Sequence, residues 1–207
     1  MKANLHSFRK LLNPVAQMKN KPEKTASAKH EPEHEHVHGP HCNHNHDLIC
    51  ELRIRQYKPE DFQALTLTWK ASDIALDETD SAKALAENLK RNKNGFRVFV
   101  AEAQMVEQKT NKPVGESQIA GGVIATQDGH RAYVYHLGVH PEFRSVGLGK
   151  ALLEACEEQA SLWGARHLRL TSRTDPSRKA ARQLYKEMGW SVEEGVCIYK
   201  KTLKKKS

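Results

Sequence analysis

The chain has 207 residues, of which 38% are hydrophobic, enough for one domain of ordinary size plus a segment outside its core. Its formal net charge is +8, but five of the positive charges are lysines clustered at the C-terminal end, so the rest of the folded part is nearly neutral and we expect no nucleic-acid partner. No apolar run approaches the roughly 20 residues of a membrane-spanning helix, so we expect no association with a membrane.

Residues 1–50 are rich in Lys, Glu, Pro, His and Asn and contain few large aliphatic residues. Such a composition buries too little apolar surface to fold, so we predict a disordered, His-rich N-terminal tail over residues 1–50 and a folded domain over residues 51–207. The first 22 residues are basic but lack the apolar stretch of a secretory signal, and a transit peptide is the alternative that they leave open. The four scattered cysteines argue against a disulfide framework and predict a reducing, cytoplasmic compartment.

The histidines are concentrated in this tail, since seven of the twelve lie between His30 and His46. Imidazole and thiolate groups bind Zn²⁺ and Ni²⁺ well. The candidate metal ligands are His34, His36, His38, His41, Cys42, His44, His46 and Cys50. Their spacing matches no pattern in which a loop separates two ligand pairs, which favours loose metal binding over a structural zinc site using Cys42, His44 or His46, and Cys50. A solvated tail without a metal is the third interpretation.

From residue 51 onward, hydrophobic spacing predicts regular elements, beginning with a strand and two helices. Alternation predicts a strand over Leu52–Tyr57. Pro59 is typical of a first helical turn, and a second amphipathic helix is predicted over Ser81–Arg91. The first of these helices is predicted to bury four apolar residues, Phe62, Leu65, Leu67 and Trp69.

The middle of the chain is predicted to form three strands. The first covers Arg97–Glu102, and a polar loop over Gln108–Ser117 follows it. Strands over Ile119–Thr126 and Tyr133–Val139 are predicted to form a hairpin, because Asp128-Gly129 between them is typical of hairpin turns.

The C-terminal part is predicted to add a helix over Gly147–Trp163, a strand over His167–Thr171, a helix over Asp175–Met188 and two strands within Val192–Leu203. A helix that joins two neighbouring strands of one sheet makes them parallel, whereas hairpin strands are antiparallel. The pattern therefore predicts an α/β (α+β) fold built on a mixed sheet.

The segment from Leu137 to Lys150 couples a strand end, a short loop and the start of a helix. Gly147 and Gly149 remove side chains at a place where the first N–H groups of the helix have no intrahelical partner, so these groups are open to an anion. Arg144 and Lys150 add positive charge. The segment therefore predicts a phosphate-binding site.

Two common phosphate motifs do not fit this segment. A Walker loop is excluded because Arg144 and Ala151 occupy its diagnostic positions. A dinucleotide-binding fingerprint is excluded because Leu152 stands where its third glycine belongs.

The Arg-x-x-Gly-x-Gly pattern of Arg144–Gly149, following Val-His-Pro, resembles the acetyl-CoA-binding motif of the GCN5-related N-acetyltransferases, the GNAT superfamily. A second segment, Thr171–Trp190, is similar to the Ala-x-x-Leu-Tyr-x-x-x-Gly-Phe helix of the same family. The resemblance covers about residues 52–203. It implies a GNAT-type sheet that is mixed, mostly antiparallel and twisted, with helices on both sides.

The resemblance also implies that acetyl-CoA is the cosubstrate and which residues hold it. Main-chain groups of Leu137 and Val139 would bind the pantetheine arm, and N–H groups from Arg144 to Lys150 would bind the pyrophosphate. The implied contact residues are Leu137, Gly138, Val139, Arg144, Ser145, Val146, Gly147, Leu148, Gly149, Lys150 and Ser177.

Tyr185 lies where many members of the family place a tyrosine that protonates the leaving thiolate. Its alternative is a core aromatic residue, because it shares an apolar stripe with Ala181, Leu184 and Met188.

Some positions depart from the family pattern. Ser145 stands where glycine is frequent, and a negative φ would suit it there. Arg178 replaces an asparagine that contacts pantetheine in many members, with Ser177 or Asp175 as substitutes. Asp175 is also interpreted as an N-cap, because Pro176 follows it.

The general base is the part of the site that the sequence does not identify. Alternation predicts Tyr133 and Tyr135 on the face shared with Leu137, and places His136 on the opposite face as a buried, hydrogen-bonded histidine. A water chain, or a carboxylate elsewhere such as Glu102, is the remaining candidate.

The resemblance implies transfer of the acetyl group to a primary amine, on a small molecule or a protein, by direct attack in a ternary complex. The alternative is a non-catalytic sensor of the same fold that binds coenzyme A and uses its His tract as a metal buffer. We expect a monomer or a homodimer.

Overall fold

The structure, a computed structural model, describes residues 48–199 and 201. Within this range the order of elements is β1-α1-α2-β2-β3-β4-α3-β5-α4. The strands are β1 (Leu48–Gln56), β2 (Phe96–Glu107), β3 (Pro113–Gln127), β4 (Ala132–Val139) and β5 (Leu168–Leu170), and the helices are α1 (Phe62–Ala71), α2 (Ala82–Arg91), α3 (Leu148–Leu162) and α4 (Lys179–Glu187). None of the helices in the described range is long and apolar enough to cross a membrane.

The five strands form one sheet in the order β1-β2-β3-β4-β5. Neighbours are antiparallel except β4 and β5, which are parallel as the crossover helix predicts. Parallel pairing is limited to residues 132–134 with residues 168–170. β4 continues to Val139 without β5 beside it, so a gap opens between the C-terminal half of β4 and the end of β5. The mixed, mostly antiparallel sheet flanked by helices is therefore confirmed.

The sheet is covered by helices on both faces. On one face α3 buries Leu152, Leu153 and Cys156 against β2, β3 and β4, and α4 packs at the border of this cluster. On the other face Leu65 and Trp69 of α1 and Leu85 of α2 pack against Val98, Val100 and Ile124. These two apolar layers hold β4 between them.

Gly121 and Gly122 of β3 allow the two layers to approach the sheet closely. A Cβ atom at Gly121 would lie 3.1 Å from Leu152 Cδ1 of α3, and one at Gly122 would overlap Leu65 Cδ1 of α1. The Trp69 indole N–H also donates to the Gly122 carbonyl at 3.3 Å. Small residues at these two positions therefore set the distance between the helices and the sheet.

We expect Gly122→Ala to lower the free energy of unfolding by about 1–3 kcal/mol, because the added methyl group forces the fully buried Leu65 out of its place. Urea denaturation measures the loss. In a Leu65→Ala background the same change should cost much less, and an equal cost in both backgrounds would contradict the steric explanation.

The β2–β3 hairpin is longer than predicted. β2 runs to Glu107 and β3 begins at Pro113, so the end of the predicted loop, residues 113–117, is a strand. Backbone pairing between Met105 and Val114 extends the ladder, although both side chains are partly exposed. The prediction was wrong because hairpin pairing needs no buried side chains, whereas the hydrophobic pattern reports only on burial. β1 likewise starts at Leu48, four residues before the predicted start.

The predicted final pair of strands is wrong within the described range, because residues 191–199 contain no strand. Their apolar side chains stay largely exposed, and they are Val192, Val196, Ile198 and Tyr199. β5 has only three residues, so it offers few backbone groups with which a further strand could pair, and the alternating pattern of residues 192–199 is not enough to form one.

Two smaller predictions concern α1 and the turn before α4. In α1, Leu67 is 66% exposed and does not belong to the core, so its predicted burial was wrong. Asp175 caps its turn by accepting the Ser177 N–H at 3.0 Å, as predicted.

A charged network joins β1, β2 and the start of α1. Arg55 donates two hydrogen bonds to Asp61, at 2.7 and 2.8 Å, and two to Glu102, at 3.2 and 3.1 Å. Burial alone would raise the pKa of Asp61, but hydrogen bonds from Arg55 and from the Lys58 N–H hold it below its usual value. Asp61 is 6% exposed, so this carboxylate depends on its partners.

Stability should therefore decrease as the pH falls below about 4, because the folded protein binds protons at Asp61 less readily than the unfolded chain does. Asp61→Asn should cost about 1–3 kcal/mol at pH 7 and progressively less at lower pH. Denaturation of both proteins from pH 7 to pH 3 measures the difference. Glu60→Gln, at an exposed neighbour in the same turn, is the control and should change little.

Candidate active site

A β-bulge interrupts β4 beside the gap. Gly122 of β3 pairs with Gly138, and Ile124 pairs with Tyr135, so the single residue Val123 faces both His136 and Leu137. His136 has a φ of +54°, in the left-handed region that favours glycine. Side chains and backbone N–H and C=O groups alternate in direction along a strand. One extra residue therefore makes the groups after the bulge point the opposite way from what an uninterrupted strand would give.

This reversal turns main-chain groups of β4 toward the gap. Before the bulge, the Ala132 N–H donates to the His167 carbonyl at the start of β5. After it, the His140 N–H donates to Ala120 of β3 at 2.8 Å. Backbone groups alternate along a strand, so those of Leu137 and Val139 face the gap. The Val139 carbonyl accepts a hydrogen bond there from Arg144 Nε at 3.2 Å. The two residues predicted to bind an extended ligand are thus oriented toward an open space.

Residues 144–150 follow β4 and consist of a tight loop, residues 144–147, and the first turn of α3, residues 148–150. Gly147 caps α3 with a φ of +88°, and a Cβ atom there would meet no heavy atom within 4 Å. The Ala151 N–H makes the first helical bond, to the Gly147 carbonyl at 3.0 Å. The N–H groups of residues 148–150 precede that bond and have no helical partner. The loop therefore has the backbone donors and the open space that an anion requires.

Ser145 differs from expectation, because its φ is +64° rather than negative. The loop needs two left-handed residues within three positions, and serine accepts this conformation at a cost of about 1–2 kcal/mol. Gly149 contacts a neighbour closely, since a Cβ atom there would lie 3.1 Å from Leu184 Cδ2 of α4. Lys150 is exposed, with Nζ 3.8 Å from Glu154.

Tyr185 lies on α4, on the side of the sheet that α3 covers. It packs at the border of the α3 cluster, and its ring centroid lies 6.2 Å from that of Trp190. Burial raises the pKa of Tyr185, and the nearby positive charge of Arg178 opposes this shift. The hydroxyl therefore stays protonated at neutral pH, which suits a proton donor. The structure is thus compatible with both predicted roles, proton donor and packed aromatic.

Arg178 connects the start of α4 to the end of α1. Its guanidinium donates to the Ser72 carbonyl at 3.1 Å, and to the carbonyl and carboxylate of Asp73. The same α1 end lies over β4, because a Cβ atom at Gly138 would be 3.0 Å from Ser72 Cβ. Arg178 therefore joins the helices of the two faces beside the gap. From the sequence, Arg178 was noted only as a replacement for the asparagine that many family members have at this position.

Ser177 forms its hydrogen bonds with residues of its own turn. Its N–H and hydroxyl both donate to Asp175, and the hydroxyl accepts from Arg173 at 3.2 Å. Its predicted contact with pantetheine stays a prediction.

The bulge changes the predicted faces of β4. Tyr135 is paired with Ile124 and lies with Tyr133 on the α1 side, whereas Leu137 packs in the α3 cluster. The expectation that both tyrosines share a face with Leu137 was therefore wrong, because strict alternation fails at a bulge. His136 lies opposite Leu137, as predicted, but on the same side as Tyr133 and Tyr135 rather than opposite them, and its Nε2 lies 2.8 Å from Asp80 Oδ1.

Glu102, the carboxylate considered as a general base, already accepts hydrogen bonds from other side chains. Hydrogen bonds from Arg55 lower its pKa, and the Ser117 hydroxyl donates to it at 3.0 Å. A carboxylate held in this way is a weaker proton acceptor. Its partners Arg55 and Ser117, but not Glu102 itself, line a cavity of about 460 Å³ between α1, residues 117–119 of β3 and residues 140–143, in which Arg55 and Asp61 are already paired.

Of the eight predicted metal ligands, only Cys50 belongs to the described residues. It is an exposed free thiol in β1, and the described residues contain no group of three metal-ligating side chains. The other seven, His34 to His46, lie outside the described residues, and metal binding by this segment stays a prediction.

Comparison with known proteins agrees with this geometry. Residues 61–190, more than half of the chain, match the model of the acetyltransferase (GNAT) family. Acetyltransferases of Pectobacterium atrosepticum and Yersinia enterocolitica are each 26% identical over 152 residues, which make up 73% of this chain and 96% of the relative.

Solved structures share the fold. AAC(6')-Iy, in complex with the bisubstrate analogue CoA-S-monomethyl-acetylneamine, is similar with a TM-score of 0.55 and 16% identity, over 74% of this chain and 99% of that one. Glucosamine-6-phosphate N-acetyltransferase from Arabidopsis thaliana has a TM-score of 0.53 and 16% identity, over 73% and 98%. An aminoglycoside acetyltransferase from an uncultured soil sample, in complex with sisomicin, has a TM-score of 0.52 and 22% identity, over 74% and 97%.

Proposed function

Because this chain belongs to the acetyltransferase (GNAT) family, we propose that it transfers the acetyl group of acetyl-CoA to a primary amine by direct attack in a ternary complex. The observation that carries the proposal is the β4 bulge, which turns the main chain of Leu137 and Val139 toward the gap that ends at the loop of residues 144–150. The part of this gap beside Leu137 and Val139 suits an extended amide chain, and the part beside residues 144–150 suits a pyrophosphate.

The donor is bound mainly by the backbone in this proposal. Residues 144–150 hold the pyrophosphate with N–H groups at the start of α3, and Arg144 and Lys150 add charge. Leu137 and Val139 bond the pantetheine arm as an added strand would, on the edge of β4 that β5 leaves uncovered. The Val139 carbonyl already accepts from Arg144 Nε, so the pantetheine arm either shares this acceptor or displaces Arg144 from it.

Tyr185 donates a proton to the sulfur as the C–S bond breaks. Its pKa, raised by burial, keeps the hydroxyl protonated at neutral pH, and the positive charge of Arg178 stabilises the phenolate that remains. The proton is replaced from solvent after each turnover.

Direct transfer is favoured by the cysteines. Burial raises the pKa of Cys156 to about 12, so this fully buried thiol is not an acyl-carrying nucleophile. Cys50 lies in β1, at the opposite edge of the sheet from the gap. Neither of these two thiols is placed to carry the acetyl group, which supports transfer to the acceptor without a covalent enzyme intermediate.

Small amine-bearing sugars are the acceptors to test first, because similar folds are described with an acetylneamine analogue, with sisomicin and as a glucosamine-6-phosphate enzyme. The experiment measures release of thiol from acetyl-CoA with pooled amines, followed by mass identification of the product. An acetylated amine supports the proposal. Tight binding of acetyl-CoA without turnover on a broad panel of amines and proteins would support the alternative, a coenzyme A-binding sensor.

A further inference from the structure

The left-handed residue of the β4 bulge is a histidine. Histidine gains no conformational advantage at a φ of +54°, where glycine would fit without strain. Strained residues persist where the surrounding contacts fix them, and they are common at sites of function. The contacts of His136 therefore indicate what this position does.

Two contacts fix the His136 ring. Nε2 lies 2.8 Å from Asp80 Oδ1, and the ring meets the Trp69 indole edge to face, with centroids 5.2 Å apart. Asp80 is itself held, because its Oδ2 accepts the Asp77 N–H at 2.9 Å. The side chains of His136 and Asp80 are 21% and 10% exposed. The pair is therefore ordered and largely shielded, yet still reachable from solvent.

The Asp80 carboxylate also determines the tautomer of His136. An ionised carboxylate only accepts hydrogen bonds, so Nε2 carries the proton and Nδ1 keeps its lone pair. Among the described residues, Nδ1 has no hydrogen-bond partner. The groups that contact the ring are Asp80 from the turn before α2 and the uncharged Trp69 from α1, and Tyr133 and Tyr135 lie on the same side of β4. The lone pair is thus available to accept a proton.

The position of the pair matches the side from which an acceptor must approach. Tyr185 and the loop of residues 144–150 lie on the α3 and α4 side, so the donor occupies that side of the gap. His136 lies at the narrow end of the same gap, on the α1 side. An amine that attacks a thioester held in the gap would come from the side opposite the donor, which is the side on which His136 lies.

We propose that His136 Nδ1 accepts the proton of the acceptor amine and that Asp80 is the residue that positions it; this assignment rests on the proposed function. The amine nitrogen forms a bond to the acetyl carbon and gives one proton to Nδ1. The C–S bond breaks, and the sulfur takes the proton of Tyr185. His136 then loses its proton to solvent, and Tyr185 regains one, so the products are an acetylated amine and coenzyme A.

The test uses His136→Gly, because glycine keeps the left-handed bulge and leaves room for a free base. With an acceptor that the wild-type protein acetylates, we expect kcat/KM at pH 7 to fall about 10²-fold or more. Acetyl-CoA affinity, measured by calorimetry, should stay within about twofold, since the donor is held on the other side of the gap. Added imidazole should restore part of the lost rate.

His130→Gly is the matched control, at an exposed histidine of the β3–β4 turn, and it should change neither the rate nor its response to imidazole. The pH dependence of kcat/KM separates a base from a structural residue. The acidic limb of the wild-type profile should be absent in His136→Gly, because solvent then takes the proton. In Asp80→Asn kcat should fall while the KM for acetyl-CoA stays unchanged, because the carboxylate no longer fixes the tautomer that leaves Nδ1 free to accept a proton.

An undiminished rate in His136→Gly would overturn the assignment. So would a reduced rate that imidazole does not raise, together with an unchanged acidic limb, since both would mark His136 as structural. In either case the wild-type protein still acetylates amines and the proposed function stands. If the wild-type protein acetylates no amine, the proposed function fails and this assignment fails with it.

Discussion

Gly147→Asp should weaken acetyl-CoA binding by about 10²–10³-fold, because it places a carboxylate against the pyrophosphate, and two unit charges about 4 Å apart near a protein surface repel by about 4 kcal/mol. Gly147→Asn is the matched variant. Asparagine has the same shape, is uncharged and also tolerates a φ of +88°. A Cβ atom at this position meets no neighbour within 4 Å, so neither side chain clashes in the free protein, and the strain of a left-handed residue is common to both variants.

Calorimetric titration of both variants with acetyl-CoA measures the difference. Gly147→Asn should lose much less affinity than Gly147→Asp, and 1 M salt should reduce the gap between them because it screens the charges. Equal affinities in the two variants, with melting curves like that of the wild type, would contradict the placement of the pyrophosphate at residues 144–150.

Tyr185→Phe should lower kcat by about 10²–10⁴-fold and leave acetyl-CoA affinity nearly unchanged, because the hydroxyl acts when charge develops on the departing sulfur. The pH profile provides a second measure. The protonated form of Tyr185 is the active one, and burial raises its pKa, so the alkaline decline of kcat should lie above the range of an ordinary tyrosine. The phenylalanine variant should lack this decline.

Tyr199→Phe is the control for this substitution, because Tyr199 is 93% exposed and makes no part of the site. It should leave kcat unchanged. A loss of less than about threefold in Tyr185→Phe at saturating substrates would identify Tyr185 as a packed aromatic residue instead.

The motifs of the sequence located the donor site but not its conformation. Gly147 and Gly149 were expected to open the start of a helix, and α3 does begin at Leu148. The left-handed Ser145 was not expected, because a serine gives no signal of positive φ by itself. Arg178 was noted only as a departure from the family pattern, whereas its bonds to Ser72 and Asp73 come from a segment more than 100 residues away.

The same contrast applies to the candidate base. The pairing of His136 with Asp80 spans 56 residues, and no spacing rule connects them. Alternation along β4 assumed an uninterrupted strand, so it assigned Tyr135 to the wrong face. A bulge has no reliable signal in a single sequence unless a glycine marks it, and here a histidine takes that position.

The sequence by itself determined the mixed sheet, the crossover that makes β4 and β5 parallel, and the glycine-rich start of α3, because hydrophobic period, turn residues and connection length are local properties of the chain. Only the tertiary structure decided where β4 and β5 separate, which backbone groups face the gap and which side chains meet across it. These features depend on how β3, α1 and α4 pack around β4, and such packing arises from contacts between residues that are distant in sequence.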